Sequence, residues 1–198
     1  MIDERPTAII LASTSPRRRE LMADAGYEFT VVEPDVDESA FTTEGITARE
    51  YVEALALAKA KSVAPMYPES LVIGADTVAD SAGEIIGKPV DSDDAERITR
   101  KLFSASHKII TGLAIIRLCD HVRRVVSEST TVYPKPMTAA QTAEHIKGGT
   151  WRDKAGAYAI QETGDEFVER VEGSLTNVMG LPMERLKSLL AGRFDCQK

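Results

Sequence analysis

Ile9-Ile10-Leu11-Ala12-Ser13-Thr14-Ser15-Pro16-Arg17-Arg18-Arg19 is an apolar run that passes through three hydroxyls and a proline into three arginines. Residues 8–12 read as a buried strand. Ser13, Thr14 and Ser15 are helix N-cap types, and proline suits a first helical position because its missing N–H would be unpaired there anyway. The pattern predicts a helix over residues 16–25, ended by Gly26 in a left-handed conformation. A helix N-terminus offers free N–H groups and a positive dipole end to an anion, and Arg17 and Arg18 add forks that match phosphate oxygens. A strand-to-helix phosphate cradle results. Taken alone, the spacing fits an ordinary capped helix with basic residues on a solvated face equally well.

Outward from this stretch, strands and helices alternate. Residues 29–33 read as a short strand followed by the acidic turn Pro34-Asp35-Val36-Asp37-Glu38. Thr47-Ala48-Arg49-Glu50 forms a capping box that opens a helix to about Val63, carrying Lys59. Leu71-Val72-Ile73-Gly74-Ala75 is a continuous apolar strand expected to deliver Asp76 and Thr77 to its carboxyl end, where α/β proteins gather ligands. A hairpin-like turn at Ser81-Ala82-Gly83 then folds Lys88 back towards Asp76. Asp91 and Ser92 can cap a helix to about Phe103, and residues 108–118 and 122–133 read as paired strands. A further helix opens at Thr138 and ends at Gly148-Gly149, short strands are expected over 157–160 and 166–171, and Pro182 starts a last helix to about Leu190. The alternation predicts an α/β fold with a mixed twisted sheet flanked by helices, and a central cleft between two lobes.

At 198 residues, 43% hydrophobic and 28% charged, the chain can bury one core, so a single domain over residues 1–198 is expected. A net charge of −7 argues against broad binding to nucleic acid or an anionic membrane. A small anionic ligand is still compatible, since adjacent arginines make a local positive site. Cys119 and Cys196 lack metal-ligand spacing, and His107, His121 and His145 are scattered, which disfavours a zinc site. With no signal-like segment before the first strand, a reducing cytoplasm is the expected location.

Asp76, the acids Asp35, Asp37 and Glu38, and the basic set Arg17, Arg18, Lys59 and Lys88 are complementary halves of a metal-phosphate site. Magnesium takes one or two carboxylates plus phosphate oxygens and water, which is the inventory present. Each residue taken singly also fits a solvated surface position.

Several motifs in order resemble the Maf, or septum-formation, family of nucleoside triphosphate pyrophosphatases. They are Leu11-Ala12-Ser13-Thr14-Ser15-Pro16-Arg17-Arg18, Gly74-Ala75-Asp76-Thr77, Gly87-Lys88-Pro89, Thr111-Gly112, the run from Asp153 to Gln161, and the run from Gly173 to Pro182. The resemblance implies an ITPase-like α/β fold and hydrolysis of a nucleoside triphosphate to the monophosphate and pyrophosphate with a divalent cation, Mg2+ or Mn2+. It implies Asp76 as general base or metal-organising carboxylate, Glu38 as its partner in metal binding, and Lys59, Lys88 and Gln161 as further active-site positions. Ser13, Arg17 and Arg18 match the phosphate loop, and Arg17, Thr77 and Gln161 match positions tied to substrate choice. Ala155-Gly156-Ala157-Tyr158-Ala159-Ile160-Gln161 is similar to the subgroup acting on dTTP and UTP, a house-cleaning activity on the nucleotide pool or one tied to growth control. Two positions depart from the pattern: Ala54 stands where an arginine is common, and Glu162 where a glycine is common. A nucleotide-binding regulator of septum formation without turnover, and a nucleotidyltransferase, are the rival expectations. A homodimer is compatible with the sequence.

Overall fold

The computed structural model describes residues 8–152, 154–158, 160 and 167–191. A seven-stranded mixed sheet forms its centre. Its elements are β1 (Ile9–Ala12), α1 (Pro16–Asp24), β2 (Thr30–Val32), α2 (Ala48–Val63), β3 (Leu71–Ser81), β4 (Glu84–Ile86) and α3 (Ser92–Leu102). These are followed by β5 (His107–Arg117), β6 (Val122–Pro134), α4 (Ala139–Gly148), β7 (Val168–Glu172), α5 (Leu175–Val178) and α6 (Met183–Leu190). The strand order is β2-β1-β3-β5-β6-β7, with β4 paired to the outer part of β3. β1 runs parallel to β2 and β3, whereas β3, β5, β6 and β7 are successively antiparallel.

Period-two alternation divides the core between the two faces. Ile10, Ala12, Val72, Ala114 and Ile116 pack on one side with Ala56, Ala60 and Val63 of α2. Leu11, Ile73, Ala75, Leu113 and Ile115 pack on the other with Leu21 and Met22 of α1 and Met183 and Leu186 of α6. Further along that second face, Ala79, Ile109 and Val132 support a separate cluster with Ile98, Leu102, Phe103, Trp151 and Tyr158. The two clusters on this face are the cores of the two lobes.

The parallel pairing of β1 with β3 ends at Ala12 opposite Gly74, but β3 continues through Ser81. Asp76 therefore lies inside an eleven-residue strand, and not at the carboxyl end of a strand over 71–75. The reason is β5, which pairs with β3 from Val72 to Asp80 and so holds Asp76 extended opposite Gly112. The useful edge is that of β1, and Asp76 sits just past it.

α2 lies unusually close to the sheet. A Cβ on Gly74 would stand 2.3 Å from the Ala56 carbonyl oxygen, and one on Gly112 would stand 2.2 Å from that of Val52. The helix enters through its capping box, with Thr47 accepting from the Glu50 N–H, as expected. The strand expected over 157–160 does not begin at Ala157: Ala155–Ala157 is a 3-10 turn in which Gly156 and Ala157 have φ of 74° and 60°. Two successive positive φ values are incompatible with extended pairing. Ala159 lies outside the described residues, as does Glu166 at the start of the strand expected over 166–171. No helix among the described residues is long and apolar enough to cross a membrane.

His107 ties the second lobe together. Its Nδ1 lies 3.0 Å from the Leu102 carbonyl oxygen and its Nε2 lies 2.8 Å from the Tyr158 hydroxyl. A carbonyl accepts only, so Nδ1 carries the proton and Nε2 accepts from Tyr158. Burial holds the His107 pKa below its ordinary value, against the opposing pull of its backbone hydrogen bonds, and burial raises that of Tyr158. The neutral ring is the native one, so its contribution is complete above the unfolded value near 6.5 and is lost as pH falls through the lower folded value. Melting temperature is expected to drop as pH falls below about 6.5, and the drop to shrink in His107→Gln. Equal drops in both proteins would contradict this role.

Candidate active site

A cleft of about 660 Å³ opens where β1 ends. Ser13 through Arg18 form one wall, Glu33, Pro34, Val36 and Glu38 the rim, Asp76 and Thr77 the floor, and Lys88, Lys154, Tyr158 and Ile160 the far lobe. Among the described residues, five cations, Arg17, Arg18, Lys59, Lys88 and Lys154, face three carboxylates, Glu33, Glu38 and Asp76. The cleft is thus locally positive in a chain of net charge −7. Low-dielectric walls focus such a field onto an anion.

The floor is organised by Lys59. Its Nζ donates to Asp76 Oδ1 at 2.6 Å and lies 2.7 Å from Glu38 Oε1. Lys59 is buried because it occupies the same stripe of α2 as Val52, Leu55, Ala56, Ala60 and Val63. The close approach at Gly74 and Gly112 brings that stripe down onto β3. Burial of Glu38 works to raise its pKa, but the bond from Lys59 and the charges of Lys59, Lys88 and Arg18 outweigh it and hold the carboxyl below its ordinary value. Among the described residues Asp76 is engaged only through Oδ1, which leaves Oδ2 to the cleft.

Arg18 is placed differently from Arg17. Its Nε donates to the Gly180 carbonyl at 2.8 Å, Nη1 to the Ala75 carbonyl at 2.9 Å and to Ser13 Oγ at 3.3 Å, and Nη2 to Thr77 Oγ1 at 3.2 Å. Four of the five guanidinium N–H groups therefore serve to join α1, β3 and the loop after α5. Burial pulls the Arg18 pKa down, and the negative charges of Asp76 and Glu38 counter it. Arg18 thus braces the cleft that it also lines. Arg17, one residue earlier, lines the cleft and is half-buried.

Of the residues expected from the sequence, Ser13, Arg17, Arg18, Glu38, Lys59, Asp76, Thr77 and Lys88 all converge on this cleft. Gln161 lies outside the described residues, as do Asp153, Glu162 and Cys196. Asp37 turns away, because its carboxylate caps a 3-10 turn by accepting from Ser39 N at 3.0 Å and Ser39 Oγ at 2.6 Å. Asp35 does not line the cleft. Glu33, Lys154 and Tyr158 do, and sequence reasoning named none of them as a site residue. Lys154 and Tyr158 stand within one of the matching motifs, which was the available signal; Glu33 had none.

Ser13, Lys59 and Asp76 are buried polar groups gathered at one end of β1, and the family motifs lie on the elements that carry them. The Maf-like protein family model matches residues 8–193. The chain belongs to the Maf family. A dTTP/UTP pyrophosphatase of Pelotomaculum thermopropionicum is 40% identical over 92% of this chain and 94% of its own length. A dTTP/UTP pyrophosphatase of Geotalea uraniireducens is 45% identical over 88% of this chain and 89% of its own. Among solved structures, the Ham1 protein of Staphylococcus aureus superimposes with a TM-score of 0.54 at 15% identity, covering 94% of this chain and 99% of that one. A HAM1 protein from Coxiella burnetii gives 0.51 at 14% identity, covering 95% of this chain and 100% of that one. These two likenesses show the Maf fold to be shared with Ham1 proteins.

Proposed function

We propose that this Maf chain is a cytoplasmic nucleoside triphosphate pyrophosphatase that hydrolyses dTTP and UTP to the monophosphate and pyrophosphate. The observation that carries this reading is the Asp76-Lys59-Glu38 arrangement at the floor of a positive cleft beside the Ser13–Arg18 turn. The activity named for relatives matching nearly the whole chain supports the same reaction. The rival of a nucleotide-binding regulator without turnover is not favoured, because those relatives are named for turnover.

The donor set fits a divalent cation. Two hard carboxylates converge on one ammonium, and Asp76 and Glu38 are the residues that would hold the cation. No group of three or more His, Cys, Asp or Glu among the described residues could hold a metal by itself, so phosphate oxygens and water would complete the shell. A bound Mg2+ or Mn2+ would supply Lewis-acid polarisation of the phosphate.

Each residue then has a defined task. Asp76 accepts a proton from water directed at the α-phosphorus through Oδ2, while Lys59 fixes the carboxylate through Oδ1. Lys88 and Arg17 offset the charge that develops on pyrophosphate as it leaves. Ser13 and the first turn of α1 orient the phosphates, so part of the barrier is met by positioning. Gln161, with one amide donor and one amide acceptor, reads the pyrimidine edge.

A panel of canonical and modified triphosphates, assayed for pyrophosphate release with and without Mg2+ or Mn2+, tests this function. Metal-dependent release from dTTP and UTP above that from purine triphosphates is expected. Activity confined to 7-methyl-GTP would overturn the substrate assignment, and tight binding of UTP without release would restore the regulator.

A further inference from the structure

Between the two apolar clusters on the cleft side of the sheet lies one polar seam. Thr77 of β3 stands directly opposite Thr111 of β5, with Ala75 and Leu113 on one side and Ala79 and Ile109 on the other. Thr111 is fully buried, whereas Thr77 lines the cleft. Their hydroxyl oxygens are 2.9 Å apart.

The direction of that bond follows from what lies behind it. Thr111 Oγ1 donates to the Asn177 carbonyl oxygen at 3.1 Å, and a carbonyl has no proton to give. Asn177 cannot swing away, because its Nδ2 donates to the Ile109 carbonyl and to Thr130 Oγ1, each at 3.0 Å. With its single proton committed to Asn177, Thr111 can only accept from Thr77. The Thr77 proton therefore points into the seam, away from the Gly180 carbonyl 3.5 Å off on the cleft wall. Thr77 Oγ1 keeps two lone pairs: Arg18 Nη2 donates to one from 3.2 Å, and the other is left to the cleft.

We infer that Thr111 is a positioning residue that fixes the Thr77 hydroxyl as a hydrogen-bond acceptor, so that Thr77 takes an N–H or O–H of the nucleoside and not a phosphate oxygen. The inference rests on the reading of the cleft as a nucleotide site. Phosphate oxygens are acceptors and gain nothing from an acceptor-only hydroxyl. Ribose hydroxyls and the imide N–H of a uracil or thymine are donors and do. Thr111 thus separates the two halves of the ligand without touching either. Loss of its hydroxyl releases the Thr77 proton towards Gly180, and so onto the side where the nucleoside donor would bind.

Calorimetric binding of two probes, the α,β-methylene analogue of UTP and inorganic tripolyphosphate, tests this on the whole chain. Thr111→Val keeps the side-chain shape and is expected to weaken the analogue about tenfold, the loss of one hydrogen bond, with tripolyphosphate unchanged. Thr111→Ser, which restores the hydroxyl, is expected to recover the analogue's affinity. Equal weakening of both probes, or no weakening of either, would overturn the inference. Should Thr111→Val fail to fold, Thr77→Val is expected to show the same selective tenfold loss, and an analogue affinity equal to wild type overturns it as well. Because both probes are read by binding, a chain that binds the analogue but never hydrolyses UTP refutes the proposed activity while the comparison of probes still decides the role of Thr111.

Discussion

Asp76→Asn is expected to lower turnover of UTP by about 10²–10⁴-fold, the range for loss of a positioned general base, with the fold intact. The asparagine oxygen can still accept from Lys59, whose Nζ lies 2.6 Å from Asp76 Oδ1, so the local geometry survives. Two things are lost: the basicity at Oδ2 and one of the two negative charges around Lys59. Glu38 remains as the counter-ion of Lys59. Nucleotide affinity should therefore change far less than turnover. Steady-state kinetics on UTP with magnesium, paired with a thermal melt, checks both halves, and near-normal turnover would remove Asp76 from the chemistry.

The second large effect is structural and arises on the strand beside Asp76. Gly112→Ala places a Cβ 2.2 Å from the Val52 carbonyl oxygen and 2.8 Å from Glu53 N, both backbone atoms of α2 that no rotamer change can move. The helix must lift from the sheet, at a cost of about 3 kcal/mol or more, the upper range for overpacking. Since α2 carries Lys59, the same displacement draws the ammonium off Asp76 and Glu38. Loss of stability and of turnover should appear together, read by urea denaturation and by kinetics under conditions where the variant is still folded. A variant as stable as wild type, or one equally active once folded, would show that the close approach does not position Lys59.

Much of the fold was legible because the local rules agree with one another. Capping boxes at Thr47 and Thr138 are present in the structure, and the strands expected over 108–118 and 122–133 pair as β5 and β6. The exceptions have specific causes. Asp76 looked like a strand end because a charge usually stops an apolar run, but β5 continues past it with Gly112 directly opposite, and the strand goes on. The strand expected over 157–160 does not start at Ala157 because Gly156 and Ala157 adopt positive φ, which breaks the extended run that the apolar sequence suggests.

The site was legible as residue types and less so as roles. Lys59 read alone as a surface lysine, although its place on the stripe of Val52, Leu55, Ala56, Ala60 and Val63 marks it as buried. A charge on the apolar face of an amphipathic helix needs a partner, and here it has two. Arg18 matched phosphate by its chemistry, yet besides the nearby Ser13 its acceptors are Gly180, Ala75 and Thr77, distant in sequence and brought together only by the fold. Among the three acids of the turn, spacing could not choose Glu38, because capping of Ser39 by Asp37 is what turns the neighbouring carboxylate away.

The measurement that bears most directly on this account is the fate of oxygen when UTP is hydrolysed in 18O-labelled water. Attack at the α-phosphorus predicts one labelled oxygen in UMP and an unlabelled pyrophosphate. Label in pyrophosphate, or release of UDP and orthophosphate, would contradict it.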